Sequence, residues 1–280
     1  MKRLEWPYLV GLTALVAIPG AGALALAFTE YTGVQNPRFV GLDNFTRLVG
    51  DDRLWSAFGN SLIHVLLSTP LRMLAAVGLA LLLSRRARGA AAARGIVYLP
   101  SVMPDAAYAL LWFWFLNPLY GPVAMALNGL GITSPEWFTD PWAARIGMVL
   151  LGAFQIGEGF IIALAARAHI PSSLYEAAAV DGASPWFTLR TVTLPIMAPV
   201  IALLALRDFI LSFQVTLVPA LLITDGGPRY ATTYVPLYVY QTAFRYFRLG
   251  YASAITVTMF LLTAIVIYVQ YRLARRWRLV

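Results

Sequence analysis

Residues 173–199 read SLYEAAAVDGASPWFTLRTVTLPIMAP. The segment is far more polar than its surroundings, carries one glycine and three prolines, and lies between two apolar runs long enough to cross a bilayer. Local signals predict its shape. Ser173 stands three residues before Glu176, the spacing of a capping box that satisfies two backbone N–H groups of a first turn, so a helix is expected to begin near Leu174. Gly182 is suited to the left-handed conformation that ends such a helix. Ser184 and Pro185 restart a second one, with serine as cap and proline at the first helical position, where no N–H is needed. Pro195 and Pro199 follow at the entry to the next apolar run. Leu174, Ala177 and Ala178 share an i, i+3, i+4 stripe, and alanines let another surface approach the backbone closely. Local physics leaves two readings, a docking element or a re-entrant cap over a bundle.

Working outward, 60% of the 280 residues are hydrophobic and 12% are charged. Soluble domains run at roughly 45–50% and about 25%. The composition therefore predicts an integral membrane protein. A bilayer-crossing helix needs roughly 20 apolar residues, and six stretches qualify: about 7–28, 60–84, 96–117, 145–166, 196–223 and 251–271. The expected fold is all-α, a polytopic bundle of six transmembrane helices forming one domain over 1–280. The first run could be read as a signal peptide, because MKRLEW precedes it and Ala25-Leu26-Ala27 ends it. Its length, and the five spans that follow, favour an uncleaved first helix.

The net charge is +8. Basic residues cluster at the ends of apolar runs: Lys2 and Arg3; Arg85, Arg86, Arg88 and Arg94; Arg272, Arg275, Arg276 and Arg278. By the positive-inside rule both termini, the 85–95 hinge and the 167–195 loop are cytoplasmic, in a multi-pass protein of the cytoplasmic (inner) membrane. Segments 29–59, 118–144 and 224–250 then face outward, where Arg38, Arg47, Arg53, Arg229, Arg245 and Arg248 are exceptions to the rule. With no basic patch on a soluble segment, the partners are membrane lipid and protein, with no nucleic acid. Asn44-Phe45-Thr46 matches the glycosylation pattern and is read as an ordinary loop.

Several chemistries are absent. The sole lysine is Lys2, so this chain holds no lysine-bearing phosphate loop, and any ATP-driven work must use another polypeptide. There is no cysteine, neither His64 nor His169 has a second histidine at metal-ligand spacing, and no Gly-x-Ser-x-Gly elbow occurs. The expectation is a chain without catalytic residues, metal or cofactor of its own. His64, inside a span, is expected to serve helix packing.

Charged groups at membrane depth face a cavity or a partner. Arg72, Glu158, Arg207 and Asp208 stand inside predicted spans. Gln155 and Glu158 share a face, as do Asp208 and Ser212, with Arg207 and Gln214 on the adjacent one. Gly157 and Gly159 flank Glu158 and leave room for a ligand or a close helix. Two readings stay open: hydrogen bonding to a solute, or internal pairing that holds the helices. Arg72 and Arg207 are assigned to pairing; Gln155, Glu158, Asp208, Ser212 and Gln214 are assigned to a candidate pathway. Trp112, Trp114, Phe115, Trp137 and Trp142 are expected to form an interfacial aromatic belt.

Glu176-Ala177-Ala178, then Gly182, then Val192-Thr193-Leu194-Pro195 resembles the EAA loop of binding-protein-dependent ABC importer permeases, with Val192 where the family usually has isoleucine. Val40-Gly41-Leu42-Asp43-Asn44-Phe45, Leu116-Asn117-Pro118 and Asp225-Gly226-Gly227-Pro228 follow in the order of the carbohydrate-type subgroup, the MalF- and UgpA-like subunits. The resemblance implies that Glu176, Ala177, Ala178, Asp181, Gly182 and Pro195 belong to an ATPase-coupling loop. It implies alternating access driven by an ATPase subunit dimer that binds ATP and Mg. A second, non-identical permease subunit and an extracytoplasmic sugar-binding protein complete the assembly. The expected cargo is a sugar or related polyol, with glycerol phosphate or another solute as the alternative. An ion-coupled secondary transporter and a membrane-bound enzyme are the rival classes.

Overall fold

A computed structural model describes residues 2–84, 88–214 and 216–276, with side chains over 6–84, 88–214 and 216–272. Arg85, Arg86 and Arg278 of the basic clusters lie outside the described residues, as do the side chains of Lys2, Arg3, Arg275 and Arg276. The chain is mostly helical and divides into two compact units, Met1–Phe58 with Val235–Ile267, and Gly59–Tyr234 with Tyr268–Val280. Among the described residues, four helices are long and apolar enough to span a membrane: Trp6–Leu26, Asp52–Leu83, Pro185–Thr224 and Leu249–Arg272. Two bent helix pairs raise the number to six if each pair crosses once.

In the first unit, Trp6–Leu26 is apolar on every face and none of its residues is buried within the chain. Only lipid or another polypeptide can cover such a helix. Two-residue strands, Thr29–Glu30 and Arg38–Phe39, pair antiparallel with Thr29 opposite Phe39 and Glu30 opposite Arg38. The Asn44-Phe45-Thr46 stretch is not a loop. It lies in the helix Asp43–Val49, and Asn44 is buried, donating through Nδ2 to the carbonyls of Ala27 at 2.9 Å and Thr29 at 2.8 Å. Ala27 caps the first span, where a helix-end carbonyl needs a donor from outside the helix, and the asparagine supplies it.

Asp51 organises the apolar cluster of Leu48, Leu54, Ala57, Val235, Tyr238, Tyr251 and Ile255. Its Oδ1 accepts the N–H groups of Arg53 and Leu54, each at 3.1 Å, capping Asp52–Leu83. Its Oδ2 accepts the hydroxyls of Tyr238 at 2.7 Å and Tyr251 at 2.5 Å. Burial pushes the Asp51 carboxyl up. The tyrosine hydroxyls and the two backbone N–H groups together outweigh that, and the net value falls below the ordinary 3.8. A depressed folded pKa makes the stabilisation complete above 3.8 and removes it as pH falls through the folded value. Asp51→Asn is therefore expected to melt below wild type at pH 6, with the gap closing under strong acid. A gap that does not change with pH would contradict this.

In the second unit, two of the expected straight spans are broken. Ala90–Val102 and Asp105–Phe115 meet at 103°. The break lies at Met103 (ψ 139°) and Pro104 (ψ 135°): proline excludes the residue before it from the helical region, so Met103 is extended. Pro141–Ala153 and Gly157–Ala168 meet at 44°. Asp140 caps the first of these by accepting the N–H of Ala143 at 2.7 Å. At the bend, Gly157 N–H donates to Ser101 Oγ at 2.9 Å. A Cβ on Gly157 would stand 2.6 Å from that oxygen and 2.8 Å from Tyr98 Cδ2. The space at Gly157, beside Glu158, is thus taken by the side chains of Ser101 and Tyr98.

Trp137 does not join an aromatic belt. It is buried against Leu116 and Ala143, where the alanine leaves room for the indole. Trp142 is exposed under the Arg145 guanidinium at 4.8 Å, and Trp112 stacks obliquely on Phe154 at 5.3 Å. His64 is buried beside the ring of Tyr234 at 5.1 Å, and its Nδ1 has no hydrogen-bond partner among the described residues.

Candidate functional site

The second unit holds two features of interest. The first is a cavity of about 240 Å³ lined by Arg72, Ser101, Gln155, Glu158, Arg207 and Asp208, with Met73, Leu204 and Leu211 among its apolar walls. Arg72 Nη2 lies 2.7 Å from Asp208 Oδ1, and its Nη1 donates to Ser212 Oγ at 3.3 Å. Their side chains are 15% and 10% exposed. The second pair, Arg207 with Glu158, is 46% and 57% exposed. Residues assigned separately to pairing and to a pathway are thus combined: each arginine is matched with a pathway carboxylate. Gln155 lines the same cavity, and the buried Nε of Arg72 has no hydrogen-bond partner. Ser212 is buried behind Arg72, whereas Gln214 is exposed and is not among the lining residues.

One framework escaped sequence reasoning. Arg145 donates to Asn60 Oδ1 at 3.0 Å and to the carbonyl of Ala231 at 3.3 Å, and Asn60 donates to the carbonyl of Tyr230 at 2.7 Å. These bonds hold the Asp225–Tyr234 loop, which also closes on itself through Thr232 to Gly227 at 2.7 Å and Thr233 to Gly226 at 3.1 Å. A polar residue at the edge of each apolar run was the only available signal.

The second feature is the polar loop. Its first helix is Ser172–Val180, beginning two residues earlier than expected, with Pro171 at the cap position. The capping box does not form. Pro171, at ψ 137°, turns the chain into the helix, and Ser173 already lies within the first turn and makes no cap bond. The C-terminus is as expected: Gly182 adopts φ +69°, its N–H donates to Ala179 O at 3.1 Å, and Ala183 N–H donates to Ala178 O at 2.9 Å. That pair of bonds is a Schellman motif. Ser184 Oγ then accepts the N–H of Phe187 at 3.2 Å, with Pro185 at the first helical position.

The second helix is not a separate short one. Pro185–Thr188 runs through a π-helical turn at Leu189–Thr193 into Leu194–Gln214, so the loop and the fifth span share one helix. Pro195 has no N–H for the carbonyl of Thr191, and the widened turn just before it absorbs the lost bond. Glu176, Ala177, Asp181 and Pro195 are exposed and Ala178 is half-buried. Around them Leu174, Val180, Trp186 and Phe187 are exposed, Val180 to 88%. Exposed apolar patches mark sites of contact with a protein or a membrane.

An apolar helix bundle with a charged cavity, and a helix–turn–helix that leaves large apolar side chains uncovered, is the architecture of a membrane transport subunit. The chain belongs to the binding-protein-dependent transport system inner membrane components, whose family model matches residues 57–279. It is 34% identical to the probable ABC transporter permease protein YesP of Bacillus subtilis, over 97% of this chain and 89% of that protein. It is 31% identical to the sulfoquinovosyl glycerol transport system permease protein SmoG of Agrobacterium fabrum, over 96% and 88%. Its fold matches a chain of the bacterial alginate ABC transporter crystallised with an alginate pentasaccharide-bound periplasmic protein. That match has a TM-score of 0.83 and 24% identity, covering 98% of this chain and 93% of the other.

Proposed function

We propose that this chain is the non-catalytic transmembrane subunit of an ATP-driven importer for a sugar or related polyol, and that the loop 167–195 is the handle by which an ATPase moves the bundle. The observation that carries this reading is the Gly182 turn, which sets two helix ends side by side and leaves Leu174, Val180, Trp186 and Phe187 uncovered. ATP and Mg belong to the partner ATPase dimer, a second permease completes the pathway, and an extracytoplasmic binding protein delivers the cargo. Both termini and the loop lie on the cytoplasmic side. Support for a carbohydrate cargo comes from the similarity to the SmoG permease and from a cavity whose carboxylates, guanidinium groups and amide suit hydroxyl groups.

The test is reconstitution with the ATPase subunits, the second permease and the binding protein. ATP hydrolysis stimulated by sugar-loaded binding protein is the expected result. Uptake by the chain alone under an ion gradient would overturn the proposal. Within that system, Glu158→Ala is expected to lower uptake roughly tenfold, about the worth of one hydrogen bond to a charged group, while the complex elutes intact. Loss of the assembled complex on gel filtration would instead assign Glu158 to structural pairing.

A further inference from the structure

We infer that Tyr175 is the pin that passes movement of the loop helix to both walls of the charged cavity. The inference rests on the coupling reading above. Tyr175 is half-buried on the inner face of Ser172–Val180, opposite the exposed Leu174 and Val180. The Arg167 guanidinium stands 4.2 Å from the centre of its ring. Its hydroxyl lies 2.9 Å from Thr193 Oγ1, in the π-helical turn at the base of the fifth helix. One side chain thereby contacts two other helical elements.

Tyr175 also packs against the apolar cluster of Ala80, Phe160, Ala163, Ile170 and Met197. A groove of about 670 Å³ runs beside these contacts, with Leu81, Arg167, Tyr175, Ala179, Trp186 and Thr193 in its wall. The second helix of the loop is already continuous with the fifth span, and the side chain of Tyr175 ties the first helix to that span and to Arg167.

Arg167 is on the helix Gly157–Ala168, which carries Glu158 nine residues earlier, about 14 Å along the axis at the standard helical rise. Thr193 leads directly into the helix carrying Arg207 and Asp208. The two helices are therefore tied twice, by Tyr175 at the loop end and by the Glu158–Arg207 pair at the cavity. A displacement of the loop helix reaches both cavity walls together. Tyr175 touches neither cargo nor nucleotide in this scheme, so it is a positioning residue.

The test measures solute moved per ATP hydrolysed by the complete complex in liposomes. With Tyr175→Ala, the complex is expected to keep its ATPase subunits and basal hydrolysis while the ratio falls roughly two- to thirtyfold, the range for residues that carry coupling between sites. Tyr175→Phe keeps the ring over Arg167 and should fall between. An unchanged ratio in Tyr175→Ala would overturn the inference, as would a Tyr175→Phe ratio below that of Tyr175→Ala. The coupling reading fails separately, if Gly182→Val chains bind ATPase and transport normally whatever Tyr175 variants do.

Discussion

Gly182→Val is expected to lower ATP-driven uptake roughly five- to 150-fold and to weaken retention of the ATPase subunits on purification, whereas Gly182→Asn retains much of both. Bulk is not the cause. A Cβ added at Gly182 meets nothing within 4 Å, but φ is +69°. A β-branched residue is a genuine outlier in this region, while asparagine visits it readily. Holding valine there costs about 1–3 kcal/mol, which lowers the population of the docking conformation roughly five- to 150-fold. The strain is relieved by unwinding the last turn, which breaks the bonds from Gly182 and Ala183 to Ala179 and Ala178 and displaces Val180. Gly182→Ala should fall between the two. Co-purification of the ATPase and uptake in vesicles read the effect; a valine variant that performs like wild type removes the loop from the coupling path.

The second large effect concerns the two ion pairs. Asp208→Ala is expected to destabilise the assembled subunit by about 3–5 kcal/mol, because it leaves the Arg72 guanidinium buried without its counter-charge. The double variant Arg72→Met, Asp208→Leu should recover most of that loss, since apolar side chains of similar volume carry no charge to bury. Glu158→Ala should move the melting temperature little: the Arg207 pair is about half exposed, and such pairs are worth little. Thermal denaturation in detergent, run as a double-mutant cycle, separates the cases. Additive effects of Arg72 and Asp208 substitutions, or a wild-type melt for Asp208→Ala, would show that the pair does not stabilise the bundle.

The loop was the most legible part of the chain because caps act over three to five residues. Gly182, Ser184 and Pro185 occupy the positions that their chemistry predicts. Ser173 failed for an equally local reason: Pro171 started the helix two residues earlier, and the capping spacing fell inside the first turn. The broken third and fourth spans were missed although Met103-Pro104 was in plain view, because hydropathy counts apolar residues without regard to backbone direction. Asn44 was read as a loop residue because its partners, the carbonyls of Ala27 and Thr29, lie far back along the chain.

By itself the sequence determined the solvent, the helical class and the shape of the loop turn, since each depends on composition or on neighbours within one turn. The tertiary structure alone decided which charge meets which. Arg72 faces Asp208, Arg207 faces Glu158, and Tyr175 bridges Arg167 and Thr193. Those pairs come from different helices, and helix packing, which no local pattern encodes, sets their separation.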